Sequence, residues 1–249
     1  MFRPRFVLLP LVATVFTTFS ASADALSDLR SVLQRYPAKA RFAASASLRV
    51  SGQSADAGAR SGAAKFEVEF DSGGMVLRTP PATLAAAAGE AQRKKHDADS
   101  PTPARNAMVA VTIFDVIDAL DVAAMLLNDL EGATIIDSAE SSLAGKPVTL
   151  LRIKVKPDLA GARSKLVNEP VIELRVWLNH DGIPIAAERD STYSASVLFV
   201  NAANVRKERW EIAVAGDRLY ATRADQSNRA SAAGKTLASS RSVTYEVSR

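Results

Sequence analysis

Apolar and polar side chains alternate with a period of two along stretch after stretch of this 249-residue chain. Lys65-Phe66-Glu67-Val68-Glu69-Phe70 alternates without error. Val171 to Leu178 places Ile172, Leu174, Val176 and Leu178 on one face and Glu173, Arg175 and Trp177 on the other. Ser242 to Val247 repeats the pattern with Val243, Tyr245 and Val247. A period of two is the signature of a pleated strand, in which residues i and i+2 share a face. A slip of one residue would turn every apolar side chain into water, so the register is specified by burial. Strands with one dry and one wet face belong to an antiparallel sheet covered on one side.

The other segments fit that plan. Asp24 to about Tyr36 reads as a helix, with Leu26, Leu29, Val32 and Leu33 at helical spacing and Pro37 ending it. Arg41 to Val50 alternates, Gln53 to Gly62 is small and Gly-rich and reads as a turn or loop, and Met75 to Arg78 is a short strand. Leu84–Ala88 and Glu90–Lys95 favour helix. Asp97 to Pro103 is a polar loop, either a lid or a disordered connection. Phe114 to Leu130 reads as one amphipathic helix. Strands are expected at Thr134–Leu143, Val148–Lys156, Val171–Leu178, Ile183–Tyr193, Val197–Val200, Arg206–Ala215, Arg218–Ala224 and Ser242–Val247, with a polar connector at Leu159–Asn168. The expected fold is α+β: a large antiparallel curved sheet of about ten strands, its apolar face covered by two or three helices.

The N-terminus reads as an address. Arg3 and Arg5 precede an apolar run from Phe6 to Phe19, and Ala21-Ser22-Ala23 offers a cleavage site between Ala23 and Asp24. The run is shorter than the roughly 20 residues that span a bilayer. The expected organisation is a signal peptide over 1–23 and a single domain over 24–249, with a helical insertion at about 82–131. Export through a cleaved signal, with no cysteine in the chain, points to a periplasm, with no disulfide, lipid-bearing cysteine or thiolate chemistry. No segment after the signal reaches spanning length, so no stable transmembrane segment is expected after cleavage.

Lys and Arg number 31 and Asp and Glu 27, and the pI is near 9.4. The basic residues are interspersed with acids, as in Arg206-Lys207-Glu208-Arg209, and the one basic cluster, Arg93-Lys94-Lys95-His96, is followed by Asp97 and Asp99. Nucleic-acid binding is therefore not expected. Of the two histidines, His96 lies in a charged stretch, and His180 sits beside Asp181 and Gly182, whose chemistry is that of a turn. Ser191, Ser194 and Ser196 lie on strands without a base or an elbow, and Gly58 and Gly62 form no phosphate loop. Asp118 and Asp121, three apart on a helix, read as a solvated face rather than a metal site. No catalytic residue, metal site or cofactor is expected, and the chain reads as a non-enzyme.

The layout resembles the LolA-like periplasmic lipoprotein-carrier superfamily: an N-terminal helix after a signal, a long antiparallel sheet, helices inserted in mid-chain, and the strand-turn-strand Val176-Trp177-Leu178-Asn179-His180-Asp181-Gly182-Ile183-Pro184. The resemblance implies an unclosed β-barrel with a helical lid, whose concave apolar side holds an acyl chain or a lipidated protein. Ile172, Leu174, Val176 and Leu178 would supply one row of that binding face and Trp210, Ile212 and Val214 another. The expected partners are accordingly a lipid or lipidated protein, or an envelope protein if the same fold serves as an interaction or sensor module. Hydrolysis is the third reading and the least supported by the residues present.

Overall fold

The computed structural model describes residues 21–54, 58–71, 74–157, 167–197 and 200–248. The expected signal peptide before residue 21, most of the expected connector at Leu159–Asn168, and Leu198-Phe199 within the expected strand Val197–Val200 lie outside the described residues. Ten strands form one antiparallel sheet: β1 (Phe42–Ser54), β2 (Gly58–Asp71), β3 (Gly74–Arg78), β4 (Thr134–Leu143), β5 (Lys146–Lys154), β6 (Val167–Leu178), β7 (Pro184–Val197), β8 (Val200–Ala215), β9 (Arg218–Ala232) and β10 (Lys235–Val247). Their order is β3-β2-β1-β10-β9-β8-β7-β6-β5-β4. The two outer strands do not pair with each other, so the sheet is not closed into a barrel.

The alternating segments form strands, and most of the strands run longer than the alternation. The stretch Gln53–Gly62, expected as a turn or loop, is largely strand: β1 continues to Ser54 and β2 starts at Gly58, so the hairpin projects further. Backbone pairing of β1 with both β2 and β10, and of the start of β2 with β1, carries Gly and Ser residues that have little strand preference of their own. The expected strand Val197–Val200 is instead divided, with Val197 ending β7 and Val200 opening β8 as a register pair.

The described residues hold five helices rather than two or three: α1 (Ala21–Leu33), α2 (Pro81–His96), α3 (Pro103–Ala110), α4 (Ile113–Leu120) and α5 (Val122–Asp129). The single helix expected at Phe114–Leu130 is α4 and α5, broken at Asp121. That residue leaves helical geometry, and its carboxylate accepts the N–H of Ala124 at 3.2 Å, capping α5. Thr112 caps α4 in the same way, accepting from Asp115 N at 3.2 Å. The extra helix α3 is hidden in the sequence by its length of eight residues and by a cap supplied from elsewhere. The buried carboxylate of Glu90, on α2, accepts the N–H groups of Ala104 and Arg105 at 2.8 and 3.0 Å.

One core lies between the sheet and three of the helices. α1 buries Leu26, Leu29, Val32 and Leu33, α4 buries Val116, Ala119 and Leu120, and α5 buries Val122, Ala123, Met125 and Leu126. Each fully buried Leu or Val contributes roughly 1.5–3 kcal/mol. α3 lies on β2 and β1, and α2 packs on α3. At Gly62 of β2 an added Cβ would lie 2.5 Å from Pro103 O and 2.7 Å from Ala107 N, so the glycine lets the backbone of α3 settle directly on the strand.

Candidate functional site

The helix-bearing face of the sheet is organised in cross-strand rows. One row reads Leu48, Val243, Ala224, Trp210, Ala187, Val176 and Leu151, apolar throughout. The next row along the strands reads Val50, Arg241, Gln226, Glu208, Arg189, Leu174 and Ile153. The row after it reads Gly52, Ser239, Asn228, Arg206, Ser191 and Ile172. An apolar half of the face thus gives way to a polar half across one charged row.

The margin of α4 and α5 meets the sheet at that charged row. Arg189 Nη1 donates to both carboxylate oxygens of Asp129, at the end of α5, at 3.0 Å each. Its Nε and Nη2 reach Glu208 Oε2 at 2.9 and 2.8 Å, and its guanidinium lies 5.3 Å from the Trp210 ring centroid. Arg241 donates to Asp115 of α4 and to Gln226 Oε1 at 2.6 Å. Arg206 donates to Glu208 and lies 3.9 Å from Asp115. A fourth arginine, buried Arg218, fastens the opposite end of α4, donating to Leu120 O at 2.9 Å and Ala38 O at 2.7 Å. It also sits over the rings of Phe42 and Phe70. Arg189, Arg241 and Arg218 therefore hold the two helices down on the apolar half, with Arg206 beside Asp115.

The electrostatics of this margin are uneven. Burial opposes the Asp115 charge, but hydrogen bonds from Arg241 and Thr112 and the charges of Arg241 and Arg206 outweigh it and hold the carboxyl below its ordinary value. Burial pushes the Asp129 carboxyl up despite Arg189, with Glu208 adding to the effect. Burial opposes the charge of Arg189 too, yet Asp129 and Glu208 together hold it firmly protonated. The two partners respond in opposite senses because one arginine serves two carboxylates. Asp118 on α4, without an ion-pair partner among the described residues, is raised by burial, eased by Arg189 and worsened by Glu208, Asp115 and Asp129.

The residues expected to line a binding face are placed as follows. Leu174, Val176, Leu178, Trp210 and Ile212 are buried in the core, and Ile172 packs partly buried against it. Val214, near the end of β8, is 49% exposed. α4 and α5 pack on β9, next to β8 in the sheet. The cavities described below and on the opposite face are lined by other residues. A β-bulge at Thr222 shifts the parity of β9, so that Ala224 and Ala221 stand opposite Trp210 and Ile212, with the Thr222 hydroxyl donating to Glu211 O at 3.2 Å.

Other candidates resolve into local structure. His180 and Asp181 are exposed in a hairpin turn whose backbone is held by Asn179 Oδ1, which accepts from Asp181 N and Ile183 N. Asp121 is a helix cap, and among the described residues no group of three or more His, Cys, Asp or Glu could hold a metal ion. Likewise no helix there is long and apolar enough to cross a membrane. Trp177 is half-buried on the helix-free face. That face carries ion pairs between Arg175 and Glu188, Arg209 and Glu188, and Arg152 and Glu173. They border a shallow trough of about 590 Å³ that includes Arg49, Lys207 and Asp225. Such half-solvated pairs contribute little to stability.

The inward arginines were the part not picked out in the sequence. The signal was present at Arg206-Lys207-Glu208-Arg209, a strand segment polar on both faces, which requires that its inward charges find partners. Comparison with protein families, curated proteins and solved structures returns no match.

Proposed function

We propose that this protein is a non-enzymatic module of the periplasm that binds an apolar ligand, an acyl chain or a lipidated protein, on the sheet face beneath α4 and α5. The observation that carries this reading is the latched margin. Apolar contacts hold the interior of the cover, while its edge is fastened by Arg189–Asp129 and Arg241–Asp115. When such a cover lifts, water can solvate the separated charges, and an apolar ligand can replace the helices on Leu174, Val176 and Trp210. Each buried CH₂ of an acyl chain would contribute about 0.8 kcal/mol. The resemblance in layout to the lipoprotein carriers is consistent with that use of the fold.

The test is saturable binding of a neutral apolar fluorescent probe, with lipid mass spectrometry on protein exported to a periplasm. Asp115→Asn weakens one latch and should tighten apparent probe affinity up to about tenfold, because the competent open form becomes more populated. No saturable binding by the wild type or by Asp115→Asn, and no co-purified lipid, would retire the reading.

A second reading, an envelope interaction or sensor module, is favoured by a separate observation. Val109, Ile113, Phe114 and Ile117 on α3 and α4 are exposed apolar residues, Val109 by 85% and Phe114 by 76%. Four such residues close together in the chain are a contact surface in the making. A stoichiometric envelope partner recovered by cross-linking, and lost in Phe114→Ser, would support it.

A further inference from the structure

The polar half of the sheet face holds a cleft of about 450 Å³ between α3 and the ends of β1, β2 and β10. Arg60 of β2, Lys94 of α2 and Arg105 of α3 line it, together with the polar side chains of Thr102, Asn106 and Ser239. Arg60 and Lys94 also line the adjoining cleft beneath the 97–102 loop, where Asp99 is the acid present. On the sheet, Arg152, Arg175, Arg189, Arg206, Arg209, Arg223 and Arg241 each have a carboxylate partner. Arg60, Lys94 and Arg105 have none among the described residues. The buried acid nearest in the fold, Glu90, is already committed to the N–H groups of Ala104 and Arg105. Three cations from three different elements therefore line one concave site with no carboxylate partner among the described residues. Val109, the most exposed large apolar residue described, belongs to the lining of the same cleft.

We infer that this cleft is a binding site for a phosphate-class oxyanion. Two guanidinium groups offer forked N–H donors that match phosphate oxygens, and the ammonium of Lys94 adds a mobile charge. The apolar rim at Val109 makes the phosphomonoester of an amphipathic lipid the favoured source over free phosphate. That assignment of source rests on the apolar-ligand reading above, whereas the oxyanion site stands without it.

Isothermal titration calorimetry on the full exported chain tests this with inorganic phosphate, glycerol 3-phosphate and dioctanoyl phosphatidic acid below its micellar concentration. The wild type should bind the phosphatidic acid, more weakly as salt rises. The Arg60→Gln/Lys94→Gln/Arg105→Gln variant should bind it about tenfold or more weakly, because three charge-assisted contacts are lost. The three side chains are exposed, so the variant's urea midpoint should match the wild type and its uptake of the neutral apolar probe should be unchanged. Equal phosphatidic acid affinity in wild type and variant overturns the site. Phosphate or glycerol 3-phosphate binding as tightly as the lipid overturns the lipid source and leaves a soluble phosphate as ligand. Failure of the neutral probe to bind, with the variant effect on phosphatidic acid intact, overturns the acyl-face reading and supports the oxyanion site alone.

Discussion

Replacing Arg189 by Met isolates the latch between α5 and the sheet. Its side chain is 18% exposed, that of Asp129 13% and that of Glu208 7%. Methionine keeps the length and the apolar contact with Trp210 but leaves Asp129 without a cation. Glu208 still has Arg206. Stranding one partner of a buried pair costs about 3–5 kcal/mol, and the surviving Arg206–Glu208 contact places the expected loss near the lower end. A loss of ~3 kcal/mol is a fifth or more of the stability of an ordinary domain. The sign of the pH dependence follows from Asp129. Its folded carboxyl is already raised by burial, and losing Arg189 raises it further. A carboxyl raised on folding destabilises when ionised, so the penalty should be full well above the raised folded value and shrink as pH falls through it toward the ordinary carboxylate range. Asp129→Asn in the same background removes the stranded charge and should recover at least half of the loss. Urea unfolding followed by tryptophan fluorescence, at pH 7 and in steps into the ordinary carboxylate range, measures all three quantities. A loss under ~1 kcal/mol at pH 7, a loss independent of pH, or no recovery with Asp129→Asn would refute the account of the latch.

Gly62→Ala should cost about 1–3 kcal/mol in urea unfolding and raise the rate of tryptic cleavage at Arg105, because the new methyl meets the α3 backbone at Pro103 and Ala107. Asp118→Asn should raise the urea midpoint at pH 7 and leave it unchanged near pH 4. The folded carboxyl is raised mainly by burial, so its ionised form costs stability that disappears on protonation. Val176→Phe places a ring where the side chain is fully buried between Leu151 and Ala187, and should cost about 1–3 kcal/mol through overpacking. Unchanged stability there would instead reveal open space beneath the helices.

The sheet was legible because alternation is local: Phe66, Val68, Leu174 and Val176 declare their face within six residues of context. What lay outside that context was lost. The break at Asp121 depends on one side chain outcompeting the helix for Ala124 N–H, and an apolar 3.6-residue pattern runs through it unchanged. α3 depends on Glu90, fourteen residues away from the first N–H it caps. The inward row Arg189, Glu208 and Arg241 is assembled by register across β7, β8 and β10, and no single strand shows that these charges face Asp115 and Asp129. The apolar rows proposed from the sequence do lie on the helix-bearing face, but periodicity carries no information about how fully helices fill the space above them.

The strand order has a consequence for how the chain comes together. Every neighbouring pair in the sheet is also adjacent in sequence except β1 and β10, whose register joins Ala44 to Val247. Eight hairpin-like steps or short excursions would build two partial sheets, β1–β3 and β4–β10, each from local contacts. Their union waits for the strand that follows all the others in the sequence, and closing so long a loop is the slow, entropically demanding event in forming a sheet. Until that seam forms, β1 presents an unpaired edge with Leu48 and Val50 beside it, a ready template for another chain. Shortening β10 by a few residues should therefore harm yield and promote aggregation far more than an equal cut in the outer strand β3, whose neighbour is in place as soon as it is made.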